Sequence, residues 1–144
     1  MTTELRDQAD TTTRERAPRI LLYSDDSETR AQVLLAVGPR LKRGAPEIEW
    51  VETATHAAVL DHADAGGFDL FVLDGEAAKS GGMGLCRQLK NELFECPPIL
   101  VLTGRPEDAW LASWSLADAV VARPLDPIEV QSAVAGLLAA PAAR

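Results

Sequence analysis

Residues 19–30, Arg-Ile-Leu-Leu-Tyr-Ser-Asp-Asp-Ser-Glu-Thr-Arg, join a short apolar run to an acidic turn and then to the start of a helical pattern. The apolar run has the length of a buried strand, and Ser27 is a residue type that caps helices. The same alternation recurs four more times along the chain. The predicted strands are 20–23, 48–53, 70–73, 99–102 and 119–122, and the predicted helices are about 27–41, 55–65, 84–94, 106–116 and 127–139.

Strict alternation of strands and helices predicts parallel strands joined by right-handed crossovers, with helices covering both faces of the sheet. The first, third and fourth strands are continuously apolar, as central strands buried on both faces must be. The second strand begins in alternation, Glu47-Ile-Glu-Trp-Val-Glu52, which favours a place at or near an edge. We therefore predict an α/β fold, a doubly wound parallel sheet of five strands with five helices.

Composition excludes several classes of protein and indicates the cellular location. The chain has 144 residues, 47% apolar and 25% charged, as expected for one globular domain. Its longest apolar run, Val33 to Val37, is far shorter than the ~20 residues that cross a bilayer, so we expect no membrane insertion. The first residues carry mixed charge and no apolar signal segment, which predicts a cytoplasmic protein. A net charge of −8 with scattered cations argues against direct nucleic-acid binding.

The ends of the chain differ from its middle. Residues 1–17 are too polar to offset the entropy of ordering a backbone, so we predict a tail that is disordered in isolation. Residues 18–139 form the predicted domain, and residues 140–144 form a short C-terminal tail. Cys86 and Cys96 have no second pair that would complete a zinc site, and we expect reduced, partly buried thiols.

Polar residues follow four of the predicted strands. In an open parallel sheet, ligands bind beyond the carboxyl ends of the strands, where the strand order reverses. If the first and third strands are neighbours, the polar residues after them meet at that point. The residues concerned are Ser24, Asp25 and Asp26 after the first strand, Asp74 after the third, Thr103 and Gly104 after the fourth, and Arg123-Pro124 after the fifth.

These segments resemble the receiver domains of bacterial two-component response regulators, over about residues 19–139. Residues 19–30 resemble the first strand and acidic turn of that family, and Phe68-Asp-Leu-Phe-Val-Leu-Asp74 resembles the strand that ends in its phospho-accepting aspartate. Pro98-Ile-Leu-Val-Leu-Thr-Gly104 resembles the strand that ends in its hydroxyl residue, and residues 117–127 resemble the segment with its lysine and cis proline. The resemblance implies a flavodoxin-like sheet in the order 2-1-3-4-5 and a cis Arg123–Pro124 bond.

The resemblance also implies a set of site residues. Asp74 would accept a phosphoryl group, Thr103 would contact that group through its hydroxyl, and Arg123 would be the cationic partner. A carboxylate can attack phosphorus to give an acyl phosphate, and Mg²⁺ neutralises the charge during the transfer. Asp25, Asp74 and the backbone carbonyl of Glu76 are the implied magnesium ligands. A one-residue shift of the alignment would let Asp26 serve beside Asp25.

Several departures from the family pattern bear on this chemistry. Ser24 stands where the family has the first acid of its pair, and Arg123 stands where it has lysine, whose compact ammonium a guanidinium does not reproduce. Val120 replaces a rotating aromatic residue. The loop after Asp74 lacks the family's proline, and a shorter stretch from Thr103 to Arg123 predicts an abbreviated fourth helix. We therefore expect a doubtful magnesium site and weak or silent phosphotransfer.

Trp110 and Trp114 lie four residues apart on the predicted fourth helix. Such spacing most often indicates a stripe in the core; the alternative is a pair of anchors on the face that receiver domains use for partners.

High arginine and alanine with little lysine is typical of GC-rich bacteria, and the chain resembles the atypical stand-alone receivers of actinobacteria. Some of these accompany respiratory NADH dehydrogenase, complex I, so the resemblance implies a binding protein, not an enzyme, with the peripheral arm of complex I as partner. The alternative is a phosphorylation-switched regulator with a histidine kinase partner. A small α/β enzyme or flavin binder would need a dedicated base or cofactor loop, and we find neither.

Overall fold

The structure of the protein, a computed structural model, describes residues 16–77 and 81–139. Residues 1–15 and 140–144, which make up most of the two predicted tails, lie outside the described residues, as do residues 78–80 of the loop after Asp74. Arg16, which the sequence places in the N-terminal tail, contacts the domain, because its Nη2 lies 2.7 Å from Oδ1 of Asp69.

Within the described residues, five strands alternate with five helices. The strands are β1 (Arg19–Tyr23), β2 (Glu49–Thr53), β3 (Leu70–Asp74), β4 (Ile99–Thr103) and β5 (Ala119–Ala122). The helices are α1 (Ser27–Val37), α2 (His56–Ala65), α3 (Gly82–Glu92), α4 (Ala109–Trp114) and α5 (Pro127–Ala139), and a 3-10 turn at Pro106–Asp108 precedes α4.

The strands form one parallel sheet in the order β2-β1-β3-β4-β5. This confirms the predicted fold and the edge position of the second strand. The register pairs Tyr23 of β1 with Leu73 of β3, so the residues that follow them, Ser24 and Asp74, are neighbours at the carboxyl edge.

The core has two layers, one on each face of the sheet. On one face, Val59 of α2 and Leu85 and Leu89 of α3 pack against alternate side chains of β1, β3 and β4. On the other face, α1 and α5 pack through Val33 and Val130. The central strands β3 and β4 are buried at every position, because helices cover them from both sides.

Some helix boundaries differ from the prediction. Asp26, not Ser27, caps α1, since its side chain accepts a hydrogen bond from the Glu28 amide. The same helix ends at Val37, where Gly38 takes a φ of 82° just before Pro39. α3 begins two residues earlier than expected. The fourth helical segment is divided into the 3-10 turn and a six-residue α4, which confirms the abbreviated helix.

Within the two described ranges, none of the helices has the length and apolar character needed to cross a bilayer.

Candidate functional site

Four strand ends bring the predicted site residues to one edge of the sheet. Asp74 and Thr103 are the last residues of β3 and β4, and Arg123 follows β5 directly. The Arg123 amide donates to the carbonyl of Thr103 at 2.9 Å, which continues the pairing of β4 and β5 past the sheet. The Arg123–Pro124 bond is cis, as the resemblance implied.

Asp74 is buried, with 2% of its surface exposed, and its carboxylate accepts two hydrogen bonds and forms one ion pair. Oδ2 accepts from the hydroxyl of Ser24 at 2.8 Å. Oδ1 accepts from the Glu76 amide at 2.8 Å and lies 3.1 Å from Nη2 of Arg123. Two hydrogen bonds and one ion pair therefore hold this carboxylate in place.

Ser24 is a member of the site that the sequence did not assign a role. Its side chain is fully buried, and besides donating to Asp74 its hydroxyl oxygen accepts from the Asp26 amide at 3.0 Å. The register of β1 and β3 places this hydroxyl against Asp74, at the position where the family has an acid. Asp25, the predicted metal ligand that follows, has an exposed side chain.

Arg123 connects Asp74 to α1. Its Nη2 also donates to the hydroxyl of Thr29 at 3.3 Å, and that hydroxyl in turn donates to Oδ2 of Asp26 at 3.0 Å. The other amino nitrogen, Nη1, is buried and has no hydrogen-bond partner among the described residues. Thr29, which the sequence did not single out, therefore bridges the cation and a second carboxylate.

Asp26 serves as the cap of α1. Hydrogen bonds from the Glu28 amide and the Thr29 hydroxyl hold the pKa of its carboxyl below the ordinary value, and the charge of Arg123 adds to the effect. Asp26 is therefore an anion at neutral pH, with its oxygens directed to the helix terminus and to Thr29.

The predicted magnesium ligands differ in their surroundings. Asp26 caps a helix, Asp74 is buried, and the side chain of Asp25 is exposed. Across residues 16–77 and 81–139, no group of three or more His, Cys, Asp or Glu side chains is placed to hold a metal ion. Mg²⁺ needs near-octahedral oxygen ligands. That comparison counts side chains only, so the implied ligand set of Asp25, Asp74 and the backbone carbonyl of Glu76 stays a prediction.

Two glycines shape the rim of the site. A Cβ on Gly82, the first residue of α3, would lie 2.5 Å from the carbonyl oxygen of Asp74, so this close approach requires glycine. A Cβ on Gly104 would lie 2.8 Å from Oε1 of Glu76, because the Glu76 carboxylate rests against Gly104. The side chain of Glu76 thus lies over the residue that follows Thr103.

Thr103 is fully buried, and its hydroxyl donates to the carbonyl of Arg105 at 3.3 Å. A cleft of about 560 Å³ flanks Arg123 on the side of α1. Asp26, Glu28, Thr29, Gln32, Gly104, Arg123, Pro124 and Leu125 line it. The chain therefore has room for a ligand beside the guanidinium, between α1 and the segment that follows β5.

Trp110 and Trp114 lie on the surface, with 68% and 51% of their area exposed. The interpretation of these residues as a core stripe is wrong, because both rings lie on the solvent-facing side of α4. Arg87 of α3 stacks over the Trp114 ring at 4.9 Å and donates from Nη1 to the Trp114 carbonyl at 2.6 Å. The cation–π contact with Arg87 thus holds the exposed ring of Trp114 in place.

The chain is similar to response regulators in both sequence and fold. An uncharacterised response regulatory protein of Mycobacterium tuberculosis is 56% identical over 126 residues, which cover 88% of this chain and 95% of the relative. A response regulator from Chloroflexus aurantiacus is 22% identical, with a TM-score of 0.70 and coverage of 87% of this chain and 100% of that one.

A receiver domain of a Francisella response regulator is 18% identical, with a TM-score of 0.69, and the match covers 84% of this chain and 96% of that one. These solved structures show the fold. No protein-family model matches the chain. Because the mycobacterial relative is 56% identical over most of both chains, the chain belongs to the response regulators, and it forms a receiver domain.

Proposed function

We propose that this receiver domain acts as a protein-binding accessory subunit of a larger assembly, and that Asp74 is phosphorylated weakly or not at all. The proposed partner is the cytoplasmic peripheral arm of respiratory NADH dehydrogenase. That choice rests on the resemblance to actinobacterial stand-alone receivers, whereas the closed site and the exposed aromatic surface of this chain support a binding role.

The observation that carries the proposal is the state of the Asp74 carboxylate. An attacking carboxylate oxygen needs a free lone pair and an approach path for the phosphodonor. Here Oδ1 and Oδ2 are bonded to Arg123, Glu76 and Ser24, and the residue is almost fully buried.

The exposed tryptophans of α4 provide the binding surface. Tryptophan is enriched among the residues that dominate the energy of protein interfaces. Trp110 and Trp114 lie one helical turn apart, so a partner can cover both rings together. Arg87 holds the Trp114 ring in place before binding, which reduces the side-chain entropy that association would cost.

Affinity purification from solubilised membranes tests the proposal. The full-length tagged chain should recover NADH dehydrogenase subunits in constant ratio, and the Trp110→Ala/Trp114→Ala double variant should lose them. Leu35→Ala is the matched control, because Leu35 is 86% exposed on α1, and it should bind like the wild type. Deletion of residues 1–15 tests whether the N-terminal segment also contributes to binding of the partner. Recovery of no NADH dehydrogenase subunit by the wild type would refute this partner.

A phosphorylation-switched regulator is the second candidate, with a histidine kinase as partner. The presence of an aspartate and a threonine at the ends of β3 and β4 favours it, as does membership in the response regulators. Transfer of phosphate from a kinase to Asp74, lost in Asp74→Asn, would establish this function in place of the first.

A further inference from the structure

We propose that the segment of residues 1–15 docks through its acidic side chains on a basic loop at the amino edge of the sheet. The basic loop consists of residues 39–46, between α1 and β2, and it carries Arg40, Lys42 and Arg43. Asp74 lies at the opposite, carboxyl edge of the sheet. The inference therefore goes beyond the proposed function and does not depend on the state of Asp74.

The cations of the basic loop have no carboxylate partner among the residues that the structure describes. All three are exposed, and neither Lys42 nor Arg43 forms an ion pair. Arg40 donates from Nη1 to the carbonyl of Ala45 at 2.7 Å, which is a contact within the loop. The chain as a whole has a net charge of −8, so this loop is a local concentration of positive charge. Such a patch attracts an anionic segment.

Backbone contacts hold the basic loop in one shape. The Ala45 amide donates to the carbonyl of Lys42 at 3.1 Å, and Gly44 between them has a φ of 84°, which favours glycine. Gln131 of α5 donates from Nε2 to the carbonyl of Leu41 at 3.1 Å, which ties the loop to the domain. The three charges therefore stand on a fixed backbone, so that docking does not have to order the loop.

The segment of residues 1–15 joins the domain beside the basic loop. Arg16 is paired with Asp69 at 2.7 Å, and Arg16 and Pro18 line a cleft of about 470 Å³ together with residues 41–46. A chain spans up to about 3.3–3.6 Å per residue, so the acids that precede Arg16 can all reach this cleft. Because the segment is tethered at the cleft, its local concentration there is on the order of millimolar.

The segment supplies the charge that the basic loop lacks. It contains four acids and two arginines, whereas residues 39–46 contain three cations and no acid. One exposed ion pair contributes little, so docking requires several pairs at once. Four acids facing three unpaired cations can form them. The acids are Glu4, Asp7, Asp10 and Glu15, and the arginines are Arg6 and Arg14.

Paramagnetic broadening of amide NMR signals in the full-length chain tests the docking. The nitroxide is attached to Gln8→Cys in a Cys96→Ser background, because Cys86 is buried and Cys96 is only partly so. At low ionic strength the label should broaden the signals of residues 41–46. The broadening should disappear in about 1 M NaCl, where the Debye length is about 3 Å.

Charge variants separate docking from simple proximity. Lys42→Gln/Arg43→Gln should lower the equilibrium constant for docking about fivefold, as expected for the loss of two exposed ion pairs. Arg40 is left in place, because it bonds to the Ala45 carbonyl. Arg105→Gln is the matched control, since it removes an exposed cation at the carboxyl edge of the sheet, and it should leave the broadening unchanged.

Neutralisation of the segment is the reciprocal test. Glu4→Gln/Asp7→Asn/Asp10→Asn should reduce the broadening of residues 41–46 as the loop variant does, whereas Arg6→Gln, which makes the segment more acidic, should not reduce it.

Broadening of residues 41–46 that salt and both sets of variants leave unchanged would overturn the inference, because the tether alone would then explain it. Broadening at Trp110 and Trp114 in place of the basic loop would overturn it equally, since the segment would then cover the partner surface. Neither result bears on the phosphorylation of Asp74 or on the purification from membranes, so failure here and failure of the proposed function are distinguishable.

Discussion

Replacement of Arg123 by methionine removes the cation of the Asp74 ion pair and keeps much of the side-chain volume. Breaking a buried pair costs about 3–5 kcal/mol, and exposed pairs are worth about 0–1 kcal/mol. The Asp74 side chain is 3% exposed and that of Arg123 is 26% exposed, which places the pair between these limits. Asp74 also retains the Ser24 hydroxyl and the Glu76 amide. We expect a loss of about 2–3 kcal/mol in the free energy of unfolding.

Urea unfolding followed by circular dichroism measures this loss, and for a domain of this size it corresponds to a fall in Tm of about 6–12 °C. A double-mutant cycle with Asp74→Asn isolates the pair, since the two losses should be strongly non-additive. Arg105→Met is the comparison, because Arg105 is mostly exposed and pairs with Asp108, and it should cost no more than about 1 kcal/mol. A loss below about 1 kcal/mol for Arg123→Met, or additive effects in the cycle, would refute the description of Asp74 as an anion held by Arg123.

Three further outcomes follow from the packing and the pKa values. Leu100→Ala in the centre of β4 should lower the free energy of unfolding in urea by about 3 kcal/mol. Leu35→Ala on the exposed face of α1 should lower it by almost nothing, and equal effects would contradict the two-layered core. Burial raises the pKa of Cys86 to about 11, so iodoacetamide should modify it far more slowly in the native protein than in urea, and equal rates would count against burial. The pKa of Asp26 is lowered in the folded state, so its charge stabilises the protein above the pKa of the unfolded chain. The stability difference between wild type and Asp26→Asn should shrink as the pH falls below about 4, and a pH-independent difference would contradict the lowered pKa of Asp26.

The fold could be predicted because continuous apolar runs occur where strands are buried on both faces of the sheet. β3 and β4 are covered on both faces and their sequences are apolar throughout, whereas the alternation of β2 reflects its place at an edge. The meeting of Asp74 and Arg123 was predictable for a related reason, since parallel strands bring their carboxyl ends to one edge of the sheet.

The contacts inside the site could not be predicted in the same way. The sequence places Ser24 at the carboxyl edge, but its hydrogen bond to Asp74 follows only from the register that pairs Tyr23 with Leu73. The two tryptophans were ambiguous for another reason. Their spacing predicts that both lie on one face of a helix. Whether that face is buried depends on how the 3-10 turn before α4 orients the helix. Short helices carry too few residues for the apolar pattern to reveal their orientation.

Intact mass spectrometry after incubation with acetyl phosphate and Mg²⁺ tests most directly whether Asp74 is closed to phosphorylation. The Ser24→Asp/Arg123→Lys double variant, which restores the acid and the lysine of the family pattern, serves as the comparison. We predict that the wild-type mass stays unchanged while the double variant gains the mass of one phosphoryl group. Stoichiometric addition of a phosphoryl group to the wild type, absent in Asp74→Asn, would contradict the account.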